Sequence, residues 1–310
     1  MQALSEDAAL AAVLERLDAA GYDFVTPAPS TVRRWLARGA PERPDLRDVL
    51  GWGFPFREGA VDRDLVDALM AADLVVADPG GLRCTGRAAR IHGRLFLHTA
   101  FPGAGDDAVF VGPDSYRFAD LIRREIGKAP IRRILDIGTG AGVGAILAGL
   151  AEPGASVTAS DINPAALRLA RANAVHAGLD VMFQLGDGLP VTADALDLIV
   201  ANPPYVAGES GRTYKDGGGD LGERLALDWA AAAMERLAPG GRMILYTGSP
   251  VRAGGRDVVR EGLEALVGEA RFTLDYAELD PDVFSGELRR APYADVERIA
   301  AVGAVLRRSA

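Results

Sequence analysis

The order of apolar and polar positions divides the chain into two parts of different character. From about residue 130 onward, short apolar runs alternate with segments in which apolar residues recur at helical spacing. Short apolar runs are typical of buried strands, and the segments between them are typical of helices that pack on a sheet. The predicted strands are residues 131–137, 156–161, 181–185, 196–201, 243–246, 272–276 and 299–306. This alternation predicts an α/β fold on a largely parallel sheet.

The first third of the chain shows a different pattern. Apolar residues predict a helix over residues 4–19, and Ser30 is in place to cap a short helix that ends at Trp35. A third helix is predicted over residues 64–74. Short strands follow it at 75–76, 82–85 and 94–98.

Helices followed by a β-ribbon resemble a winged helix. Such modules bind nucleic acid, but they also serve as dimerisation arms or as lids over small-molecule sites. We therefore predict an N-terminal accessory module, residues 1–105, followed by a larger domain, residues 106–310.

Composition narrows the class of protein. The chain has 310 residues and is 49% apolar, yet no apolar run approaches the length of a membrane span and no charged-then-apolar leader appears at its start. The single cysteine, Cys84, fits a reducing cytoplasm, where we expect the protein to work. Three scattered histidines and one cysteine form no pattern of metal ligands.

Candidate chemistry begins with Asn202-Pro203-Pro204-Tyr205, which directly follows the apolar run 196–201. Neither proline can donate to a sheet, so the strand ends in a stiff turn at the carboxyl edge, where open α/β folds bind ligands. The turn gathers an amide side chain, free backbone carbonyl groups and an aromatic face. This set suits a planar amino group, which needs two acceptors and a stacking surface. The alternative is a purely structural turn.

A glycine-rich bend follows the run 131–137. Glycines let the backbone approach a ligand closely, and the helix that starts there points unpaired N–H groups at it. The dinucleotide fingerprint would place glycine or alanine at Val143, so a nicotinamide or flavin cofactor fits less well. Asp161 ends the next strand, where an acid accepts hydrogen bonds from ribose hydroxyls or caps the helix that starts at Pro164.

Together these features resemble the class I S-adenosylmethionine-dependent methyltransferases that modify planar nitrogens, namely the glutamine-amide and adenine-amine N-methyltransferases. The resemblance covers residues 106–310 and implies a Rossmann-like, seven-stranded methyltransferase sheet with S-adenosylmethionine as the cofactor. The pattern of an acid followed by alternate glycines, Asp-x-Gly-x-Gly-x-Gly, starts at Asp136. The residues that it implies hold the cofactor are Asp136, Gly138, Gly140, Asp161, Asp187 and Tyr116.

Within that set, the resemblance places Asp136 near the cationic methionine amino end and Asp187 near the adenine amino group. Asp187 also fits an ordinary Gly-Asp-Gly turn. Tyr116 follows Pro113-Asp114-Ser115, a segment similar to the one that leads into the cofactor site of the glutamine-amide enzymes. That segment is equally compatible with a simple capped helix start.

On the acceptor side, the resemblance implies that Asn202 and the carbonyl group of Pro203 accept hydrogen bonds from an NH₂ group on which Tyr205 stacks. The glycine-rich segment 213–222 is similar to a loop of the glutamine-amide enzymes, and we expect it to be mobile. Their preceding Glu-Pro element is absent, so the acceptor stays open. The alternatives are a nucleic-acid base, an intramolecular biosynthetic reaction of S-adenosylmethionine, and a non-catalytic nucleic-acid-binding regulator.

Charge favours a small-molecule or protein acceptor over nucleic acid. The net charge is −9, and residues 1–108 contribute −4 of it, whereas phosphate binding usually needs a basic domain or stripe. One local exception is a group of four arginines with no acid between them: Arg83, Arg87, Arg90 and Arg94. If the N-terminal module binds nucleic acid, we expect these arginines to carry the contact.

Overall fold

The computed structural model describes residues 6–57, 59–101, 105, 107–127, 130–190, 195–207, 217–268 and 271–310. Its centre is a sheet of seven strands with one short additional edge pair. The strands are β5 (Arg133–Ile137), β6 (Ser156–Asp161), β7 (Met182–Leu185), β8 (Leu196–Ala201), β9 (Leu237–Arg252), β11 (Phe272–Asp280) and β12 (Val296–Arg308), and β10 (Arg256–Asp257) pairs with β9.

The strand order is β11-β12-β9-β8-β5-β6-β7. Strands β7, β6, β5, β8 and β9 run parallel, and β12 is antiparallel to both of its neighbours. Because the order reverses direction around β5 and β8, the carboxyl ends of these two strands open a crevice between the connections that follow them. The prediction of an α/β fold with a seven-stranded, largely parallel sheet is confirmed.

Helices cover both faces of this sheet. They are α4 (Pro113–Glu125), α5 (Val143–Ala151), α6 (Pro164–Ala177), α7 (Arg224–Arg236) and α8 (Val258–Val267). Side chains alternate between faces along each strand, so Leu135 and Ile199 pack with α7 and α8, whereas Ile134 and Leu198 pack with α4 and α5.

The described residues of the N-terminal part form three α-helices, a π-helical turn and two hairpins. They are α1 (Glu6–Ala19), α2 (Pro29–Leu36), a π-helical turn (Arg47–Trp52), α3 (Arg63–Ala71), β1 (Val75–Asp78) with β2 (Gly81–Cys84), and β3 (Gly86–Ile91) with β4 (Arg94–Thr99). α1 packs against α6, and Ala172 of α6 lies in the same apolar core as Leu14 and Leu17. Every helix in the described ranges is too short or too polar to traverse a lipid bilayer.

Several local predictions in this part need correction. Ser30 does not cap α2, because Pro29 is its first residue and Ala28 precedes it without a side-chain hydrogen bond. Strand β3 was not foreseen, because its two arginines conceal the pattern of a buried strand. The resemblance to a winged helix and the domain boundary at residue 105 stay predictions. Residue 106, next to that boundary, lies outside the described residues, and so do residues 4 and 5 of the predicted first helix.

The connection between α7 and β9 also differs from expectation. The sequence predicts a turn over residues 238–241, yet β9 already begins at Leu237, opposite Leu196. The next pair joins Leu198 to Arg242, so the intervening residues bulge out of the ladder. A proline and two glycines in this stretch account for the bulge, because they pack poorly in a regular strand.

A buried amide joins the N-terminal hairpin to the glycine-rich bend. The fully buried Asn173 of α6 accepts from the Leu97 N–H at 2.8 Å and donates to the carbonyl oxygens of Leu97 and Ala141, at 3.1 and 2.8 Å. Its three hydrogen bonds therefore connect β4, α6 and the loop after β5.

We expect Asn173→Ala to lower the free energy of unfolding by about 3 kcal/mol, because buried backbone groups of Leu97 and Ala141 lose their partner. Chemical denaturation measures this change. Val175→Ala, at a 61% exposed position of the same helix, is the matched control and should stay within about 0.5 kcal/mol of the parent protein. Equal effects of the two substitutions would contradict the bridging role of Asn173.

Candidate active site

A cavity of about 770 Å³ lies at the carboxyl ends of β5, β6, β7 and β8. Eight of the nine cofactor and acceptor residues predicted from the sequence line this cavity: Asp136, Gly138, Gly140, Asp161, Asp187, Asn202, Pro203 and Tyr205. Ligand pockets of proteins usually have volumes of about 300–1,000 Å³. The fold therefore brings the predicted cofactor and acceptor residues to one pocket of suitable size.

Asp136 stabilises the glycine-rich bend from beneath. Its carboxylate is 1% exposed, and its Oδ2 accepts from the Thr139 hydroxyl at 2.6 Å and from the Ala145 N–H at 2.8 Å. Burial raises the pKa of Asp136 to about 7, although both hydrogen bonds oppose the rise. A Cβ at Gly144 would lie 2.7 Å from Oδ1, so only glycine leaves room for this carboxylate below the start of α5.

Asp161 holds the same bend from the next strand. Its Oδ2 accepts from the Gly140 N–H and its Oδ1 from the Asn163 N–H, both at 2.9 Å. Burial raises its pKa, and these backbone hydrogen bonds partly offset the rise. The cap of α6 is Asn163, whose side chain accepts from the Ala165 N–H. Asp161 is therefore not the helix cap, which was its alternative explanation.

The bend itself needs glycine for two different reasons. Gly138 and Gly140 have φ angles of +64° and +54°, a region that disfavours residues with a Cβ. In addition, a Cβ at Gly138 would lie 2.6 Å from the indole of Trp229, on α7. Trp229 lines the cavity. Sequence reasoning missed this role because Trp229 occupies an ordinary apolar helix position.

Asp187 lies in the turn that follows β7. Its side chain is exposed, and the turn is fixed by backbone contacts: Gly186 N–H donates to the Asp161 carbonyl oxygen at 3.0 Å, and the Ser160 hydroxyl donates to that of Gly188 at 3.0 Å. The carboxylate of Asp187 thus lies at the rim of the cavity, in a turn whose backbone is fixed by these hydrogen bonds.

The side-chain amide of Asn202 lies in the cavity wall and makes no hydrogen bond to any other described residue. Tyr205, by contrast, is 7% exposed, and its ring packs against Gly248, where a Cβ would overlap it, and edge-on to Phe284 at 5.5 Å between centroids. The turn therefore presents an uncommitted amide on a tightly packed support.

The loop that follows the turn is partly described. Residues 208–216 lie outside the described residues, and they include 213–216 of the segment expected to be mobile. Gly217 and Gly222 pack on the turn, because the Gly217 N–H donates to the Val206 carbonyl oxygen at 3.0 Å and a Cβ at Gly222 would collide with the backbone of Tyr205. Gly217 and Gly222 therefore belong to the support of the turn.

A polar network lies beside the buried Tyr205 ring. Asp114, at the start of α4, accepts from the Tyr246 hydroxyl at 2.7 Å and lies 3.5 Å from Arg117, which also pairs with Asp280. The Tyr205 hydroxyl is buried and has no hydrogen-bond partner among the described residues. Burial and the nearby Asp114 charge raise its pKa well above the ordinary value, so it stays protonated.

Tyr116 is the predicted site residue that lies elsewhere. Its hydroxyl accepts from the Thr26 N–H at 2.9 Å, and it is not among the described residues that line the cavity. Phe110 and Phe118 line that wall instead. On the helix that begins at Pro113, residues 116 and 118 point in directions about 160° apart, and sequence alone did not show which of the two faces the cavity.

The arginines predicted to contact nucleic acid are largely occupied within the protein. Arg87 is 4% exposed and donates to the Phe101 carbonyl oxygen, and Arg90 pairs with Asp18 at 2.8 Å. Arg83 pairs with Asp78 at 2.6 Å. Three of the four therefore do not form a free basic surface, and the prediction that the four act together is wrong for Arg87.

Residues 117–253 match the family model of the methyltransferase small domain. The chain contains a class I S-adenosylmethionine-dependent methyltransferase domain. This methyltransferase domain includes β5 to β9 and all of the candidate site residues except Tyr116, which directly precedes the matched range. The resemblance inferred from the Asn-Pro-Pro-Tyr turn and the glycine-rich bend is confirmed.

Curated relatives of the methyltransferase domain share its central part. The release factor glutamine methyltransferase of Deinococcus radiodurans is 36% identical over 185 residues, which are 56% of this chain and 63% of the relative. That of Bordetella pertussis is 32% identical over 171 residues, 50% of this chain and 62% of the relative. The matched part of the chain thus spans less than two thirds of the length of either relative.

Solved structures extend the likeness of fold. PH0793 from Pyrococcus horikoshii has a TM-score of 0.51 at 13% identity, covering 91% of this chain and 99% of that chain. Trm5 from Methanocaldococcus jannaschii, solved in complex with adenosine, has a TM-score of 0.50 at 13% identity, covering 73% and 57%. At such identities the likeness concerns the fold alone.

We expect Asp161→Ala to weaken S-adenosylmethionine binding roughly 10- to 100-fold, the loss of ~1.5–3 kcal/mol of hydrogen bonding to a charged acceptor. Isothermal titration calorimetry measures the affinity, and circular dichroism verifies the fold. Asp180→Ala, after α6, is the charge-matched control. Unchanged affinity in a folded Asp161 variant would rule out its role in the cofactor site.

The two buried tyrosines should respond in opposite directions. Tyr205→Phe removes an unpaired buried hydroxyl and should raise the free energy of unfolding by about 1 kcal/mol. Tyr246→Phe removes the donor to Asp114 and should lower it by about 1 kcal/mol. Urea denaturation of both variants is the measurement, and a loss of stability in Tyr205→Phe would contradict the unpaired state of its hydroxyl.

Proposed function

We propose that this protein is an S-adenosylmethionine-dependent N-methyltransferase whose acceptor is the side-chain amide of a glutamine in a release factor. The observation that carries the proposal is the uncommitted Asn202 amide on the rigid turn after β8. The curated relatives, which are named as release factor glutamine methyltransferases, support the choice of acceptor.

The residues in the wall of the cavity suit the cofactor. The bend at Gly138 and Gly140 exposes backbone without Cβ atoms, and the carboxylates of Asp161 and Asp187 lie at the next two strand ends. We propose that these four residues, with Asp136 below the bend, hold S-adenosylmethionine. When bound, the cofactor supplies an electrophilic methyl group on a positively charged sulfur.

An amide nitrogen is a poor nucleophile because its lone pair is delocalised into the carbonyl group. In the proposed mechanism, the side-chain oxygen of Asn202 and the Pro203 carbonyl oxygen accept one hydrogen bond each from the two N–H groups of the acceptor amide and hold these groups out of the amide plane. Tyr205 provides the stacking surface. This restraint concentrates the lone pair on nitrogen, and positioning together with preorganised hydrogen bonds lowers the barrier to methyl transfer. The new N–C bond would form as the methyl–sulfur bond breaks, leaving a neutral thioether. The methylated nitrogen would then release one of its two protons to solvent, so a strong base is not needed.

A nucleic-acid base is the second class of planar nitrogen that such a site accommodates. The arginines predicted to contact nucleic acid do not favour it, because Arg87 is buried and Arg90 is paired with Asp18. The proposal therefore places the protein acceptor first. Neither an intramolecular reaction of S-adenosylmethionine nor a non-catalytic role requires an Asn202 amide that is available to an acceptor. The available Asn202 amide therefore disfavours both alternatives.

We expect Asn202→Ala to lower kcat by on the order of 10²–10³ while the cofactor affinity stays unchanged, as for other preorganised hydrogen-bond groups. Methyl transfer from labelled S-adenosylmethionine to a purified release factor gives kcat, and calorimetry gives the affinity. The paired prolines keep the backbone in place, so the loss should not reflect misfolding. A variant as active as the parent protein would refute the role of Asn202.

A further inference from the structure

Helix α2 and the residues directly after it carry a basic surface that the sequence did not single out. Residues 24–41 contain three arginines, Arg33, Arg34 and Arg38, and no acidic residue. All three are exposed, and none forms an ion pair with a carboxylate in the described ranges of the chain. In contrast to Arg83 and Arg90, their charges are available to another molecule.

This surface adjoins the candidate active site. The Arg33 guanidinium lies 5.4 Å from the ring centroid of Phe101, and both Phe101 and Pro29, the first residue of α2, line the cavity. A molecule that contacts α2 from solvent therefore lies next to the wall of the cavity.

An aromatic side chain lies within the same surface. Trp35 is 37% exposed, and the Arg38 guanidinium lies over its ring at 4.9 Å from the centroid. The Trp35 ring also packs against the Trp52 ring, at 5.2 Å between ring centroids. Arginine and tryptophan are the residues most enriched among the energetic anchors of protein interfaces.

We propose that Arg33, Arg34, Trp35 and Arg38 form a docking surface, here called the arginine surface, for an acidic segment of the protein acceptor. The inference rests on the proposed function, since it assigns a recognition surface to the same acceptor. Docking at α2 delivers the reactive side chain to the adjacent cavity, and complementary charge accelerates the encounter.

The dimensions and surroundings of the arginine surface favour a short peptide over nucleic acid. Helix α2 has eight residues and is about 12 Å long at 1.5 Å per residue. Acidic residues flank it, with Asp23 before it and Glu42 and Asp45 after it. A nucleic-acid backbone requires positive charge along an extended track, whereas a few acidic side chains need only this patch.

The test compares Arg34→Glu/Arg38→Glu with Arg123→Glu/Arg124→Glu. The control pair changes the net charge equally at exposed positions of α4 and leaves the arginine surface intact. Arg33 is unchanged in both because it contacts the cavity wall. Steady-state methylation is measured for the whole release factor and for a short, acid-free peptide that carries its glutamine, each at low and at high salt.

We expect Arg34→Glu/Arg38→Glu to raise KM for the whole release factor about tenfold at low salt, with kcat unchanged. The difference should shrink at high salt, and kinetics with the short peptide should match the parent protein. An effect no larger than that of the control pair would overturn the proposal, as would an equal loss with the short peptide.

Two further measurements separate this proposal from others. The first is the binding of a labelled 12-nucleotide RNA. If this binding is salt-sensitive and disappears in Arg34→Glu/Arg38→Glu, while KM for the release factor is unchanged, the surface belongs to nucleic acid and the proposal is overturned.

If the parent protein does not methylate a release factor, the proposed function is wrong, but the docking surface can still be tested. Fluorescence anisotropy with labelled hexaglutamate then still decides: binding lost only in Arg34→Glu/Arg38→Glu supports an acidic partner, and binding equal in all variants contradicts it.

Discussion

The candidate site depends on two carboxylates that hold the glycine-rich bend in place. Asp136 binds the Thr139 hydroxyl and the Ala145 N–H from below, and Asp161 binds the Gly140 N–H from the neighbouring strand. The left-handed backbone of the bend would otherwise be free to rearrange, because glycine has few conformational restraints. Burying these acids is costly, as the raised pKa of Asp136 indicates, and such costs are common at functional sites.

The acceptor side uses close packing in place of buried charge. Gly248 leaves room for the Tyr205 ring, and Gly222 lies against the Tyr205 backbone, so both small residues serve the same turn. The prolines remove the N–H donors that would extend β8. As a result Asn202 stays at the sheet edge, where its amide makes no hydrogen bond to another described residue, next to a glycine-rich bend that is held by different interactions.

Much of this arrangement was predictable from sequence, because it depends on local chemistry at strand ends. The apolar runs of the sheet, the glycines of the bend and the asparagine-proline turn each have a strong local signal. Tyr116, Trp229 and Arg87 show where such signals fail. Their positions depend on which face of a helix or strand packs against another element, and this packing cannot be inferred from a single sequence. The same holds for the arginine surface, whose residues resemble ordinary solvated side chains until it is known that Arg83 and Arg90 of the N-terminal hairpins are paired with carboxylates.

The central claim is that the site transfers a methyl group to a planar amide nitrogen. The most direct measurement is tandem mass spectrometry of a purified release factor incubated with the protein and isotope-labelled S-adenosylmethionine. The account predicts a single added methyl group on the side-chain nitrogen of a glutamine. A methyl group on oxygen or carbon, or labelled cofactor consumed while the release factor stays unmodified, would contradict it.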